Sequence, residues 1–207
     1  QVIYGREEFF NATKLMHNEL QGAPEDLNEE QWATWRHYNE MNARELTGGW
    51  DVALIHDPQP AAMYHLVPEK ARGWVWRCHI DLTEANPRVW DFFRPFVELH
   101  DASVWTMPEF VPSLEMAHVL YAPPCIDPLS VKNLELAMPF CQELTKQYGV
   151  DVNRPIVCQV SRFDPWKDPV GVIEAFRIVR ERVPDAQLVL AGSMATDDPE
   201  GFKVWDD

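Results

Sequence analysis

Arg162 and Lys167 lead the residues whose types and spacing could do chemistry. They lie in the run Val160-Ser161-Arg162-Phe163-Asp164-Pro165-Trp166-Lys167-Asp168. The apolar stretch Ile156 to Val160 comes before them, and a periodic helical pattern opens at Pro169. A strand that passes through a cationic loop to a helix N-terminus is a geometry that holds phosphate or diphosphate. The carboxyl end of a strand is also where open α/β sheets bind ligands. The loop lacks the GxxxxGK[ST] pattern, so the two cations and the helix end must carry the anion. Taken alone, an arginine and a lysine at this spacing read as ordinary surface charges.

Two more motifs sit where a strand should end. One is His56-Asp57-Pro58-Gln59-Pro60, and the other runs from Trp76 through Arg77, Cys78, His79, Ile80, Asp81 and Leu82 to Thr83. Arg77 and Asp81 flank His79. Each of these residues has a plainer reading. His79 fits a satisfied core histidine, and Arg77 a surface charge or ion-pair partner. Asp57 before Pro58 is a usual turn residue, and Gln59-Pro60 a usual helix start. Asp81 fits a turn or a helix cap, and Gly192 a tight turn. His17, His37, His100 and His118 have no motif around them and read as structural.

The elements that must position these residues alternate in type. Helical spacing predicts helices over 6–21, with Phe9, Phe10, Thr13, Leu15, Met16 and Leu20 near one face, and over 29–46, with Trp32, Trp35, Tyr38 or Asn39, and Asn42 or Leu46. Further helices are predicted at 61–66, 87–99, 133–148 and 169–183. Strands are predicted at 51–56, 73–79, 102–106, 118–122, 156–161 and 187–191, with a remnant at Val2-Ile3-Tyr4. This alternation implies parallel βαβ units and an α/β fold of doubly wound, Rossmann-like sheets. The proline-rich stretch 123–130 suggests a boundary, with a first domain over 1–125, a crossover and helix over 126–153, and a second domain over 154–207. Both sheets look incomplete, which suggests a piece of a longer protein.

Composition narrows the classes. The chain has 207 residues, 46% hydrophobic, with a net charge of −15. That charge makes nucleic acid and anionic membranes poor partners. No apolar run is long enough to span a membrane, and the first residues lack the basic start and apolar stretch of a signal peptide. Cys78, Cys125, Cys141 and Cys158 are widely spaced and read as reduced, buried thiols of a cytosolic protein. Most of the nine tryptophans should be packing residues. Asp197-Asp198 and Asp206-Asp207 have no metal-ligand spacing and read as solvated loops. Nothing in the residues sets an oligomeric state, and association remains open.

The strings HDPQP, WRCHIDLT, PPCIDPLS, QVSRFDPWKDP and MATDDPEG together resemble the retaining family-4 glycosyltransferases of the GT-B fold. The likeness is greatest to the subfamily that makes trehalose from a nucleotide-activated glucose and free glucose, and it runs along nearly the whole chain. It implies two Rossmann-like domains, an acceptor-side one and a nucleotide-sugar-binding one. It implies ADP-glucose or UDP-glucose as donor, glucose as acceptor, retention by front-face displacement, and no required metal, Mg being possible. By the same resemblance Arg162 and Lys167 grip the donor diphosphate and stabilise the departing charge. His79 faces the transferred glucose, and His56, Asp57 and Gln59, with Arg77 and Asp81, line the acceptor side. Ser161, Gly192, Ser193 and Met194 belong to the donor pocket. The family's later Glu-rich motif and its opening Gly-rich loop are not among these residues, so the chain alone is expected to be inactive. Two rivals remain: a trehalose phosphorylase, whose same cations would hold phosphate, and a non-catalytic sugar- or nucleotide-binding fragment.

Overall fold

The computed structural model describes residues 4–24, 27–163 and 165–192. The chain forms two compact units, Gln1–Ile126 and Asp127–Asp207. The Val2-Ile3 part of the first predicted strand lies outside the described residues.

The first unit opens with α1 (Glu7–Leu20) and α2 (Glu29–Glu45). Helix α2 starts on a capping box. Asn28 accepts from the Gln31 N–H at 3.0 Å, and the Gln31 side chain accepts from the Asn28 N–H at 2.8 Å, which satisfies two donors that a helix start leaves orphaned. The chain then runs through β1 (Trp50–His56), α3 (Met63–Leu66), β2 (Ala71–Arg77), α4 (Pro87–Glu98), β3 (Ala102–Trp105) and β4 (Val119–Tyr121). The strands pair in parallel in the order β1-β2-β3-β4. Parallel pairing brings all the carboxyl ends to one edge, and the register sets His56 beside Arg77.

The core is aromatic. Trp32 and Trp35 of α2, Phe93 of α4, Trp76 of β2 and Trp105 of β3 are buried with Phe9, Met16 and Leu20 of α1. Trp35 meets Phe92, Phe93 and Phe96 at centroid distances of 5.2 to 5.4 Å, and Trp76 meets Trp105 edge-on at 5.4 Å. A ring of this size withdraws ~150–250 Å² from water, about 4–6 kcal/mol as an upper estimate. The ends of β2 and β3 are therefore firmly seated. Side chains pointing to the other face of the sheet, Val52, Leu54 and Leu120, are exposed.

The second unit holds α5 (Met138–Gln147) and a β5–α6–β6 unit of Ile156–Val160, Pro169–Arg182 and Gln187–Ala191. Its two strands are parallel, with Ile156 opposite Gln187 and Val160 opposite Ala191.

Several expectations need correction. The helix predicted over 133–148 begins only at Met138, because Pro139 lacks an N–H and is tolerated only in a helix's first turn. The strand predicted over 73–79 is Ala71–Arg77, so Cys78 and His79 lie beyond it on the following loop. Phe10 is exposed, and Ala12 and Glu19 occupy the buried face of α1 in its stead. Among the cysteines only Cys78 is buried; Cys125 and Cys158 are exposed, though all four are free thiols. Six of the nine tryptophans are buried as expected, whereas Trp166 in the cationic loop is exposed.

Candidate active site

The carboxyl edge of the four-stranded sheet gathers His56, Asp57, Arg77 and His79. Asp57 is the hub. Its N–H donates to the Arg77 carbonyl at 2.9 Å, and its Oδ1 accepts from the His79 N–H at 2.8 Å. Its backbone takes a left-handed turn, φ 61°, a conformation that aspartate and asparagine tolerate better than most residues. That turn swings the carboxylate across from the end of β1 to the loop after β2. The His56 ring reaches the same loop, with Nδ1 2.9 Å from Nε2 of His79.

Three successive carbonyls of the Asp57-Pro58-Gln59 loop are held from the core. The Trp76 indole N–H donates to Asp57 at 3.1 Å, the Trp35 indole N–H to Pro58 at 3.0 Å, and Asn39 Nδ2 to Gln59 at 2.9 Å. These indoles and this amide are site-supporting residues that packing arguments alone do not reveal. One signal was available: Asn39 and Asn42 fall on the face of α2 that carries Trp35 and Tyr38. A polar group at a core position needs a partner. Asn42 finds the backbone of Tyr4, to which it both donates and from which it accepts.

The Arg77 side chain and the other first-unit candidates are placed differently. Arg77 is 92% buried by its 8% exposure, with one guanidinium nitrogen donating to the Ala122 carbonyl at 2.8 Å and Nη1 buried without a hydrogen-bond partner. It ties the end of β2 to the residue after β4. Asp81 Oδ1 accepts from the Thr83 N–H at 2.9 Å and from the Thr83 hydroxyl at 2.5 Å, the local turn that its plainer reading anticipates. Gln59 is half-buried. Cys78 is close to this edge, but burial pushes its thiol far up, so it stays protonated and is no nucleophile. A cavity of about 710 Å³ lined by Arg6, Glu8, His37 and Tyr38, among others, contains none of the strand-end residues.

In the second unit Ser161 follows β5 and its N–H donates to the Ala191 carbonyl at 3.0 Å. Arg162 and Lys167 are exposed on the loop between β5 and α6, Lys167 closing a single 3-10 turn, Pro165–Lys167. The Lys167 carbonyl accepts from Gln159 Nε2 at 2.6 Å. Asp168 caps α6 in a left-handed conformation, φ 47°, its carboxylate accepting from the Gly171 N–H at 3.0 Å. One N-terminal donor of α6 is thus already taken by the chain's own carboxylate. Gly192, just after β6, is a close-approach glycine. A Cβ there would collide with the Ser161 carbonyl oxygen. Ser193, Met194 and Asp164 lie outside the described residues, as do Asp197, Asp198, Asp206 and Asp207. Among the described residues no group of three or more histidine, cysteine or carboxylate side chains is arranged to hold a metal ion. No helix among them is long and apolar enough to cross a membrane.

Residues 1–112 match the family model "Trehalose synthase, N-terminal domain". The chain belongs to the trehalose synthase family. Residues 141–204 of this family member match a second model, "Glycosyl transferases group 1". The chain is 47% identical over 210 residues to the trehalose synthase of Rubrobacter xylanophilus, covering 99% of this chain and 50% of that protein. It is 46% identical over 204 residues to the trehalose synthase of Pyrococcus horikoshii, covering 97% and 49%. The chain therefore spans about half the length of the curated trehalose synthases it matches. Among solved structures, an alpha,alpha-trehalose-phosphate synthase (UDP-forming) from Burkholderia vietnamiensis aligns with a TM-score of 0.67 at 16% identity, over 97% of this chain and 54% of that one. An E. coli structure described as trehalose-6-phosphate bound with UDP-2-fluoro glucose aligns with a TM-score of 0.73 at 14% identity, over 97% and 53%. The parallel α/β sheets and these neighbours make the fold that of a GT-B glycosyltransferase.

Proposed function

We propose that the full-length protein containing this chain is a retaining glycosyltransferase that moves glucose from ADP-glucose or UDP-glucose to the anomeric hydroxyl of glucose, forming trehalose. The observation that carries this reading is the His56–Asp57–Arg77–His79 edge cluster, lying within the segment matched by the trehalose synthase domain. In this reading His79 faces the transferred glucose, and His56, Asp57, Gln59, Arg77 and Asp81 serve the acceptor. Ser161, Arg162, Lys167, Gly192, Ser193 and Met194 serve the donor. The two cations neutralise charge growing on the diphosphate as the glycosidic C–O bond breaks. Such electrostatic stabilisation is usually a large term in group transfer. The first unit is then the acceptor side and the second the nucleotide-sugar side. No resident cofactor enters the scheme, and the partners are small molecules: sugars and a nucleotide sugar. A cytoplasmic location goes with the intracellular supply of such donors. Because the chain spans half of its relatives' length, the activity is assigned to the full-length protein, and the 207-residue chain alone is expected to be inactive.

A second reading is favoured by one finding. A trehalose phosphorylase of Pleurotus pulmonarius is 28% identical over 245 residues, covering 96% of this chain and 33% of that protein. One experiment separates the two. The full-length protein is incubated with ADP-glucose or UDP-glucose and glucose, and separately with trehalose and inorganic phosphate. Nucleotide-dependent trehalose formation supports the synthase, and glucose phosphate from the second mixture supports the phosphorylase. Neither product would sink both.

A further inference from the structure

His56 and His79 make a contact that binding two sugars does not by itself require. Their rings are nearly parallel, 5° apart, with centroids 5.2 Å apart, while Nδ1 of His56 lies 2.9 Å from Nε2 of His79. The centroid separation exceeds the nitrogen separation by about one ring radius on each side. The rings therefore meet edge to edge in a shared plane, with no overlap of faces. A nitrogen lone pair lies in the ring plane, so this is the favoured direction for a hydrogen bond. One nitrogen must donate and the other accept, and the identity of the donor sets the tautomer of both rings.

The backbone around the pair is tightly specified. His56 is the last residue of β1 and is paired in register with Arg77 of β2. Asp57 grips the His79 N–H at 2.8 Å and is itself held by the Arg77 carbonyl and the Trp76 indole. His79 is thus fixed at its backbone by Asp57 and at its ring by His56, two consecutive residues. With Nε2 engaged by His56, the ring nitrogen of His79 left for a substrate is Nδ1.

We propose that His56 is a positioning residue that fixes the ring plane and tautomer of His79 through Nε2, so that His79 meets the sugar through Nδ1. This rests on the reading that His79 faces the transferred glucose, and it refines the acceptor-side role given to His56. The proposal predicts an unusual order among conservative replacements. An asparagine amide overlays the Nδ1 position of histidine and a glutamine amide the Nε2 position. At position 79 the substrate nitrogen is Nδ1, so His79→Asn retains more activity than His79→Gln. At position 56 the bonding nitrogen is also Nδ1, so His56→Asn rescues function whereas His56→Phe, which keeps a planar ring, does not.

The test uses the full-length protein, labelled with ¹⁵N-histidine. Long-range ¹H–¹⁵N correlation spectra report the tautomer of His79 without any turnover. His79 is expected to show one dominant neutral tautomer in the wild-type protein and a mixture in His56→Phe. In trehalose synthesis, His56→Phe is expected to lose about tenfold to a hundredfold in kcat, by analogy with the loss of partners that orient metal-bound histidines. KM for glucose should change much less, and His56→Asn should recover most of the loss. Unchanged His79 nitrogen shifts in His56→Phe, or His79→Gln matching or exceeding His79→Asn, would overturn the proposal. If His56→Phe does not fold, the pair of position-79 variants decides. If the wild-type protein makes no trehalose, the functional reading fails, while the nitrogen spectra still report on the histidine pair.

Discussion

Replacing Asp57 separates two demands that the fold places on one residue. The first is a left-handed backbone, φ 61°; the second is an acceptor for the His79 N–H at 2.8 Å. Asn keeps both and loses only the charge, a cost of about 0.5 kcal/mol for a contact this open to water. Gly keeps the turn and loses the acceptor. A bond to a carboxylate this open to water contributes about 1–1.5 kcal/mol, at or below the low end for charged acceptors because water competes. Ala loses the acceptor and adds roughly 1 kcal/mol of left-handed strain, about 2–2.5 kcal/mol in all. The expected stability order is Asp, Asn, Gly, Ala, measured by urea denaturation of the full-length protein with the slope unchanged. Activity should follow a different order. The Asn variant keeps the loop in place and stays within about tenfold in kcat/KM. Gly and Ala both free His79 and lose on the order of a hundredfold, the usual result of a reacting group set about 1 Å out of place. Equal stability of the Gly and Ala variants would show that the positive φ costs nothing and refute the backbone argument. An Asn variant as inactive as Ala would show that the charge, and not the placement of His79, is what the site uses.

Three further outcomes follow from other contacts. The buried Glu19 carboxylate accepts from the Leu27 N–H at 3.1 Å and from Asn86 Nδ2 at 2.6 Å, so Glu19→Ala orphans both donors at about 2–6 kcal/mol. Glu19→Gln should cost clearly less in the same denaturation curve, and equal costs would reject this account of how the start of α4 is held. His100 donates from Nδ1 to the Phe96 carbonyl at 3.0 Å and buries an unpartnered Nε2; burial pushes its pKa below 6.5. The unfolded chain takes up that proton first, so stability should hold above pH 6.5 and fall as pH drops below it, and His100→Phe should flatten the slope. Gly192→Ala drives a methyl group against the Ser161 carbonyl oxygen. It should cost about 1–3 kcal/mol and weaken ADP- or UDP-glucose binding, read by thermal shift and calorimetry; a neutral variant would remove Gly192 from the account.

Much of the fold is legible from local pattern. Apolar runs and helical spacing locate most elements because strand and helix periodicities are written within a few residues of each other. Helical spacing places the start of α2 at residue 29, and the structure adds the Asn28–Gln31 capping box that holds it there. Of the exceptions, one has a local cause, Pro139 delaying α5; the other does not, since the Cys78 N–H still reaches the Val104 carbonyl of β3 while the His79 N–H leaves the sheet for the Asp57 carboxylate, 22 positions away. Asp81 illustrates the limit, since a sugar ligand and a turn former look alike in sequence; in the fold its Oδ1 accepts from the Thr83 N–H and hydroxyl.

The sequence by itself determined an alternating α/β chain with chemistry-bearing residues at strand ends, and its motifs were specific enough to indicate the family. Only the tertiary structure decided which of those residues meet. His56 and His79 are 23 positions apart, and the indoles of Trp35 and Trp76 reach their carbonyls across 23 and 19 positions. Such contacts depend on the parallel register of β1 against β2 and on where α2 packs. Those are properties of how whole elements share one core, and no short window of residues encodes them.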